Sequence, residues 1–236
     1  MRNVPSRVLR GLLATAAGGV LLGPVIPASA NPVRDPLSGL TANQIAAKAA
    51  ADAVAATSLH VSVTVTAKGT TLSLLDLTVT RHACAGSTGL TLGGGTEHFV
   101  RIGKHEWVLL TERLMANAGY PKAAIAKYAG KWATDNGPGS PFGLTTCSLT
   151  STSGFPRSGW TMGPASTVAG QHTVEVSNKK KEINLWVSDS ARPEILKNTS
   201  PGAVATYSRY NAKVTITPPP ARDVVSLPSP PSPPNG

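Results

Sequence analysis

The feature that most constrains this chain is a strictly alternating run of residues from His60 to Ala67. The run divides into one apolar and one polar set: Val61, Val63, Val65 and Ala67 against Ser62, Thr64 and Thr66. A period of two residues is that of a β-strand, in which successive side chains point to opposite faces of the sheet. The run therefore predicts a strand with one apolar face and one face in water.

The same pattern returns along most of the chain. After a turn at Gly69 the next strand alternates through Leu72 and Leu74 and then shifts phase, which predicts an extra residue, a β-bulge, near Leu74–Leu75. Further strands are predicted at Thr88–Leu92, Glu97–Ile102, Glu106–Leu110, Thr173–Ser177, Ile183–Val187, Glu194–Asn198, Ala203–Tyr210 and Lys213–Thr217. The sequence thus predicts two antiparallel meanders.

Two segments have the period of a helix instead. Thr41, followed three residues later by Gln44, forms a capping box that predicts a helix over Ala42–Ala56. The segment from Glu112 to Tyr128 is also helical in pattern, and Gly119-Tyr120-Pro121 must divide it into two pieces. These helices make the predicted fold class α+β.

The two ends of the chain differ from the middle. Three arginines precede a small, apolar segment that ends at Ala28-Ser29-Ala30, which predicts that residues 1–30 are a secretory signal peptide cleaved before Asn31. A membrane anchor is the alternative, but Gly and Pro interrupt the apolar segment before it reaches the roughly 20 residues of a spanning helix. Residues 31–227 are predicted to form a single domain, and residues 228–236 a disordered Pro/Ser-rich tail, with cell-wall contact as its alternative role.

The charge of the chain does not indicate nucleic-acid binding. The formal net charge is +10, but the basic residues are scattered singly except for Lys179-Lys180-Lys181, which falls where a hairpin turn is expected. A nucleic-acid surface would cluster basic residues or interleave them with aromatic ones. We therefore expect no nucleic-acid partner.

Cys84 and Cys147 are the two cysteines of the chain. In an exported protein such a pair predicts one disulfide, which would constrain a long loop. A metal site that uses His82 and Cys84 is the weaker alternative, because a closed zinc site needs four ligands and no His or Cys neighbours Cys147. We expect a disulfide and no metal.

No pattern of residues indicates catalysis. The Gly-x-Ser-x-Gly turn of serine hydrolases is absent from the sequence. The glycines Gly93 to Gly95 are followed by Thr96-Glu97-His98-Phe99 rather than by the Lys-Ser/Thr of a phosphate loop. The sequence therefore predicts a non-enzymatic protein with no catalytic residue and no cofactor.

The order of short sequence blocks resembles the LppX/LprG-type lipoproteins of actinobacteria, whose fold is similar to that of the carrier LolA. The blocks that carry the resemblance span nearly the whole predicted domain: the helix before Val61-Ser62-Val63, then Gly94-Gly95-Thr96-Glu97 into Phe99-Val100-Arg101-Ile102-Gly103, Trp107-Val108, Gly130-Lys131-Trp132, Val168-Ala169-Gly170, Leu185-Trp186-Val187, Arg192-Pro193-Glu194-Ile195-Leu196-Lys197, Tyr207-Ser208-Arg209-Tyr210-Asn211, Val214-Thr215-Ile216 and Pro218-Pro219. The resemblance implies a strongly curved, half-barrel antiparallel sheet covered by a few helices, with an apolar cavity for acyl chains. The chain departs from the family in lacking the lipidated cysteine, so no lipid anchor is expected.

The resemblance implies a secreted, envelope-associated binding protein for a lipid, glycolipid or other hydrophobic amphiphile, with transient contact to membrane or cell wall. The alternative is a structural or interaction protein of the envelope with a filled core, and in either case we expect a monomer. Period-two patterns predict the aliphatic side chains of the concave face, which would line a cavity or simply form core: Val63, Val65, Leu74, Val79, Leu90, Leu92, Val108, Leu110, Val174, Val176 and Leu185.

Overall fold

In a computed structural model of the protein, residues 36–90, 95–135 and 155–226 are described, without the side chains of Leu90 and Asp135. All of them belong to one compact unit, Asp35–Gly236. The predicted signal peptide, the tail from residue 228, Leu92 and Cys147 lie outside the described residues, so what the sequence predicts for them stays a prediction.

The strands of the first half form one antiparallel meander in which each strand pairs with the next. Its members are β1 (Ser58–Ala67), β2 (Thr70–Thr80), β3 (Ala83–Leu90), β4 (Thr96–Ile102), β5 (His105–Leu109) and β6 (Trp132–Asp135). The short strand β12 (Val224–Val225) pairs in parallel with β6. This meander confirms the first of the two predicted from alternation.

The second half forms another antiparallel meander, built from β7 (Thr161–Val168), β8 (Gln171–Asn178), β9 (Ile183–Ser188), β10 (Ile195–Ser200) and β11 (Ala203–Ser208). The lysine run lies in the turn between β8 and β9, as predicted. Strand β11 pairs antiparallel with β1, so the described strands make one sheet in the order β12-β6-β5-β4-β3-β2-β1-β11-β10-β9-β8-β7. This large, curved and open sheet with few helices confirms the predicted fold class.

The helices begin where their capping residues predict. Helix α1 (Ala42–Ala55) starts at Thr41, whose side chain accepts a hydrogen bond from the Gln44 amide while the Gln44 side chain accepts one from the Thr41 amide. The second helical segment is divided as predicted into α2 (Glu112–Asn117) and α3 (Lys122–Tyr128). None of the helices in the described ranges has the length and apolar character needed to cross a membrane.

The predicted bulge is real but lies elsewhere. In the β1–β2 ladder Val65 pairs with Ser73 and Thr66 with Thr71, which leaves Leu72 as the extra residue. The prediction of a bulge at Leu74–Leu75 is therefore wrong in position. The alternation of apolar and polar residues shows that the pattern of β2 shifts by one residue. The position of the extra residue, however, depends on how β2 pairs with β1 beside the tight turn at Lys68–Gly69.

Three strand predictions differ from the structure. No ladder pairs Lys213–Thr217, although exposure alternates there as in a strand, because the segment runs into three prolines that lack the amide donor. Strand β7 was not predicted because Gly163-Pro164 interrupts it, and it lies at the end of the sheet, where proline is tolerated. Strand β3 begins at Ala83 rather than at Thr88.

Gly86 allows β3 to lie close to its neighbour β2, while β3 also pairs with β4. A Cβ at Gly86 would collide with the backbone carbonyl oxygen of Asp76 on β2. Only glycine permits so close an approach of two backbones. Glycine at position 86 is thus required by the close approach of β2.

Candidate functional site

Cross-strand pairing arranges the inner face of the sheet, the face that α1 and α2 cover, in rows that run across the strands. The register places three such rows on β1 to β4: Leu59–Val79–Cys84–Arg101, Val61–Leu77–Gly86–Phe99, and Val63–Leu75–Thr88–Glu97. On β1 the first row lies at the start of the strand, and the third lies toward the β1–β2 turn. Polarity changes both along the strands and across them.

Helix α1 closes the inner face of the second meander. Ile45 and Ala49 of α1 are fully buried against side chains of β8, β9 and β10, of which Val176, Leu185 and Ile195 are likewise inaccessible to solvent. Trp160, just before β7, joins this cluster and donates its indole N–H to the Pro156 carbonyl over 2.8 Å. The side chains of this region, which we call the α1 core, are sealed from solvent.

A second cluster lies on the inner face of the first meander, beneath α2. It comprises Leu59, Leu77, Val79, Cys84, Phe99, Val108 and Leu114, and Leu114 is the residue that α2 contributes. A third, smaller cluster around Leu110, Met115 and Tyr120 ties α2 and α3 to the edge of the sheet. The cluster beneath α2 includes residues of the Leu59 row and of the Val61 row.

Toward the β1–β2 turn the inner face is still aliphatic but is not closed. Val61, Val63 and Val65 of β1 and Leu75 of β2 are only half-buried, whereas Leu59, Leu77 and Val79 are 3%, 3% and 2% exposed. Val61 and Leu75 touch the cluster beneath α2, but Val63 and Val65 belong to none of the clusters. We call Val61, Val63, Val65 and Leu75 the aliphatic strip.

The structure places most of the predicted concave residues on this inner face. Five of them are buried in the clusters: Val79, Val108, Leu110, Val176 and Leu185. Val63, Val65 and Val174 are half-buried. Leu90 pairs with Ser73, but its side chain, like the whole of Leu92, is outside the described residues.

The prediction for Leu74 is wrong. Leu74 pairs with Thr64 on the outer face and is 48% exposed. Leu75 takes the inner position, opposite Val63, and sequence reasoning missed it as a site residue. The signal was present, since Leu75, Leu77 and Val79 share one phase that leads to the buried end of β2.

Polar groups border the aliphatic strip on both sides. Glu97 of β4 lies in the same row as Val63 and Leu75, and its burial raises the pKa of the carboxyl group. On the other side Tyr207 of β11 faces Val61, and burial raises the pKa of its phenol while a hydrogen bond with the Asn198 side chain opposes that rise. The strip is therefore an apolar surface between hydrogen-bonding groups.

The outer face of β1 carries His60, which contacts Asp76 and Ser208. His60 Nε2 lies 3.1 Å from Asp76 Oδ1, and His60 Nδ1 lies 3.4 Å from Ser208 Oγ. The Asp76 side chain is 61% exposed, so this contact is a solvated one and contributes little stability. A broad groove of about 610 Å³ runs beside it, lined by residues that include Asp76, His98 and Trp132.

The described residues do not test the predicted disulfide between Cys84 and Cys147. Cys84 is fully buried on the inner face, and Cys147 is outside the described residues. The pairing stays a prediction that a thiol count on denatured, unreduced protein would check. Within the described ranges, no three or more His, Cys, Asp or Glu side chains are grouped so that they could hold a metal ion.

The comparisons with known proteins bear on the fold. No family model and no curated protein matches the chain. Among solved structures it is similar to LprF from Mycobacterium bovis, at 17% identity and a TM-score of 0.53, over 75% of this chain and 96% of that one. This likeness shows a shared fold, a curved sheet of the LolA-like type, and agrees with the architecture that the sequence resemblance implied.

Proposed function

We propose that this chain is an extracytoplasmic, non-catalytic protein of the cell envelope that binds a lipid or other hydrophobic amphiphile on the aliphatic strip. The observation that carries the proposal is that Val63 and Val65 lie on the helix-covered face of the sheet and yet remain half-buried. Aliphatic side chains on that face are normally sealed into the core, as they are beneath α1. An apolar ligand would remove the remaining surface from water.

The size of the strip suits an acyl chain. From Val61 to Val65 the strand advances by about 13 Å at roughly 3.3 Å per residue. Each methylene that is buried contributes about 0.8 kcal/mol before the cost of association is subtracted. A chain of about ten methylenes would therefore gain about 8 kcal/mol from apolar contact before that cost is subtracted.

The row that crosses the strip favours an amphiphile over a plain hydrocarbon. It proceeds from Val63 and Leu75 to Thr88 and then to Glu97, over a distance of about 14 Å across three strand spacings. A hydroxyl and a carboxyl group at one end of an aliphatic surface suit a ligand with a hydrogen-bonding head and an apolar tail. The curved-sheet likeness and the family resemblance support the same class of ligand.

The test is the binding of a fluorescent acyl probe to the wild type and to two tryptophan variants. Val65→Trp places a ring on the strip and should weaken probe binding at least tenfold, while the chain stays folded. Val204→Trp is the matched control, because Val204 is 40% exposed on the outer face of the neighbouring strand β11. The control should bind the probe as the wild type does.

Absence of saturable probe binding by the wild type, or an equal loss in Val204→Trp, would contradict the proposal. A structural protein with a filled core would then be favoured, and the burial of the α1 core is compatible with that role. Native mass spectrometry of protein purified from its own host would identify a co-purifying amphiphile.

Sequencing of the same material from its N-terminus should find Asn31 within a residue or two of the start.

A further inference from the structure

At the end of the strands remote from the β1–β2 turn, a pocket of about 240 Å³ lies between the β2–β3 turn and the β4–β5 turn. The residues that line it include Arg81, His82 and Arg101, and no Asp or Glu is among them. Arg81 lies about 20 Å from Leu75, six strand residues away along β2. The pocket shares no lining residue with the aliphatic strip, although Cys84 and Arg101 lie in the row next to that of Val61.

Both guanidinium groups are held by backbone carbonyls rather than by acids. Arg81 Nη2 donates to the carbonyl of Ala55 at the C-terminal end of α1 over 3.2 Å, and Arg101 Nε donates to the Gly103 carbonyl over 3.3 Å. Among the described residues, no Asp or Glu oxygen lies within 4.0 Å of either guanidinium. Each group is thus oriented, and most of its five N–H donors have no hydrogen-bond acceptor among the described residues, although Glu106 pairs with Arg101 across the β4–β5 ladder.

The position of Arg101 adds to this arrangement. It pairs with Cys84 on the inner face and is half-buried, so its charge is less hydrated than that of a surface arginine. Guanidinium groups bind carboxylate and phosphate oxygens through paired, charge-assisted hydrogen bonds. Two oriented guanidinium groups around one small polar pocket are complementary to a single anionic group.

We propose that this pocket is a binding site for a phosphate-type anion, with Arg81 and Arg101 as its ligands and His82 as a further donor. The anion can be free phosphate or the phosphate of a lipid head group, since both offer the same oxygens. The site does not depend on ligand binding at the aliphatic strip. Val65→Trp should accordingly leave anion binding unchanged.

The experiment is a titration of ¹⁵N-labelled protein with inorganic phosphate at constant ionic strength, followed by the amide shifts of residues 81–84 and 103. Saturable shifts are expected at these amides. Arg81→Gln and Arg101→Gln should each raise the dissociation constant about tenfold or more, because each removes charge-assisted hydrogen bonds. Arg157→Gln removes the same charge from an exposed arginine outside the pocket and should change it less than twofold.

Two further measurements separate the remaining outcomes. Arg101→Lys keeps the charge but loses the planar donor pair, so weakened binding with an unchanged melting temperature separates a ligand role from a folding role. Vesicles of phosphatidic acid, compared with inorganic phosphate, show whether a lipid head group or free phosphate is the preferred source. If no saturable shift appears with either, or if Arg157→Gln weakens binding as much as Arg81→Gln, the site does not exist.

Discussion

The two meanders carry the same alternating pattern of aliphatic residues, but the middle of β1 in the first meander is less buried than the strands beneath α1 in the second. In the second meander Val176 and Leu185 are fully buried beneath α1, whereas in the first Val63 and Val65 are half-buried. Helix α1 has fourteen residues and lays a stripe of small and branched side chains on the sheet, while α2 has six and places Leu114 on its cluster. A strand pattern thus fixes which face is apolar, and the covering helix decides whether that face becomes core.

The largest expected effect is on the stability of the α1 core. Leu185→Ala removes a side chain with no solvent exposure, and the loss of contacts together with the cavity should cost about 2 to 5 kcal/mol of unfolding free energy. Val65→Ala, on the strip, should cost about 1 kcal/mol or less, because the side chain is already partly in water. Urea denaturation of both variants measures the difference, and equal losses would mean that the strip is core.

Enlarging a side chain should separate the two regions a second time. Val176→Trp must displace packed neighbours in the α1 core, so we expect a loss of about 1 to 3 kcal/mol or failure to fold. Val65→Trp should change the unfolding free energy by less than about 1 kcal/mol, since the Val65 side chain is already partly exposed. Thermal denaturation checks both, and comparable destabilisation would argue for a filled site at Val65.

Tyr210 connects the two regions, and the hydrogen bond of its hydroxyl group should contribute moderately to the free energy of unfolding. Its ring packs against the cluster beneath α2, and its hydroxyl donates to the Ile195 carbonyl over 2.8 Å in the other half of the sheet. Tyr210→Phe leaves that carbonyl without its donor and should cost about 1 kcal/mol. Tyr128→Phe is the control in the same chemical denaturation experiment. A similar loss of unfolding free energy in that variant would show that the hydrogen bond from Tyr210 to the Ile195 carbonyl adds no stability.

Glu97 should give the smallest effect, as a difference in pH dependence. Burial raises the pKa of Glu97, so the folded state favours its protonated form. Stability from this group is full below the unfolded-state value of 4.5 and declines as pH rises through the folded-state pKa. Glu97→Gln should therefore be more stable than the wild type at pH 7, by about 0.5 kcal/mol or less because the group is partly exposed, and equal to it near the acid limit.

The control for this prediction is Glu182→Gln, which removes the same charge from the exposed β8–β9 turn. Its stability difference from the wild type should not change between the two pH values. Melting temperatures measured across the acidic range give the comparison. A wild type that gains stability over Glu97→Gln as pH rises would reverse the assigned sign.

Particular elements show which features of the fold the sequence predicts and which it does not. The alternation from His60 to Ala67, the capping box at Thr41 and the break at Gly119-Tyr120-Pro121 are each local, and each appears in the structure as predicted. The assignment of Leu74 to the inner face and the bulge at Leu74–Leu75 depended on pairing with β1, which no local pattern contains. Strand β7 was missed because its proline is acceptable only at the edge of a sheet, and that position is a property of the topology.

By itself the sequence determined the two meanders, most of their apolar positions and the start of α1, because these follow from periods and a cap within a few residues. Tertiary structure decided that β1 and β11 join the meanders, that α1 seals one half of the inner face, and that the strip around Val65 stays partly open. It also brought Arg81 and Arg101 to one pocket from separate strand ends. The physical reason is that the burial of a side chain and the distance between two charged groups depend on which distant segment lies opposite each residue. The alternation of residues along one strand does not specify that segment.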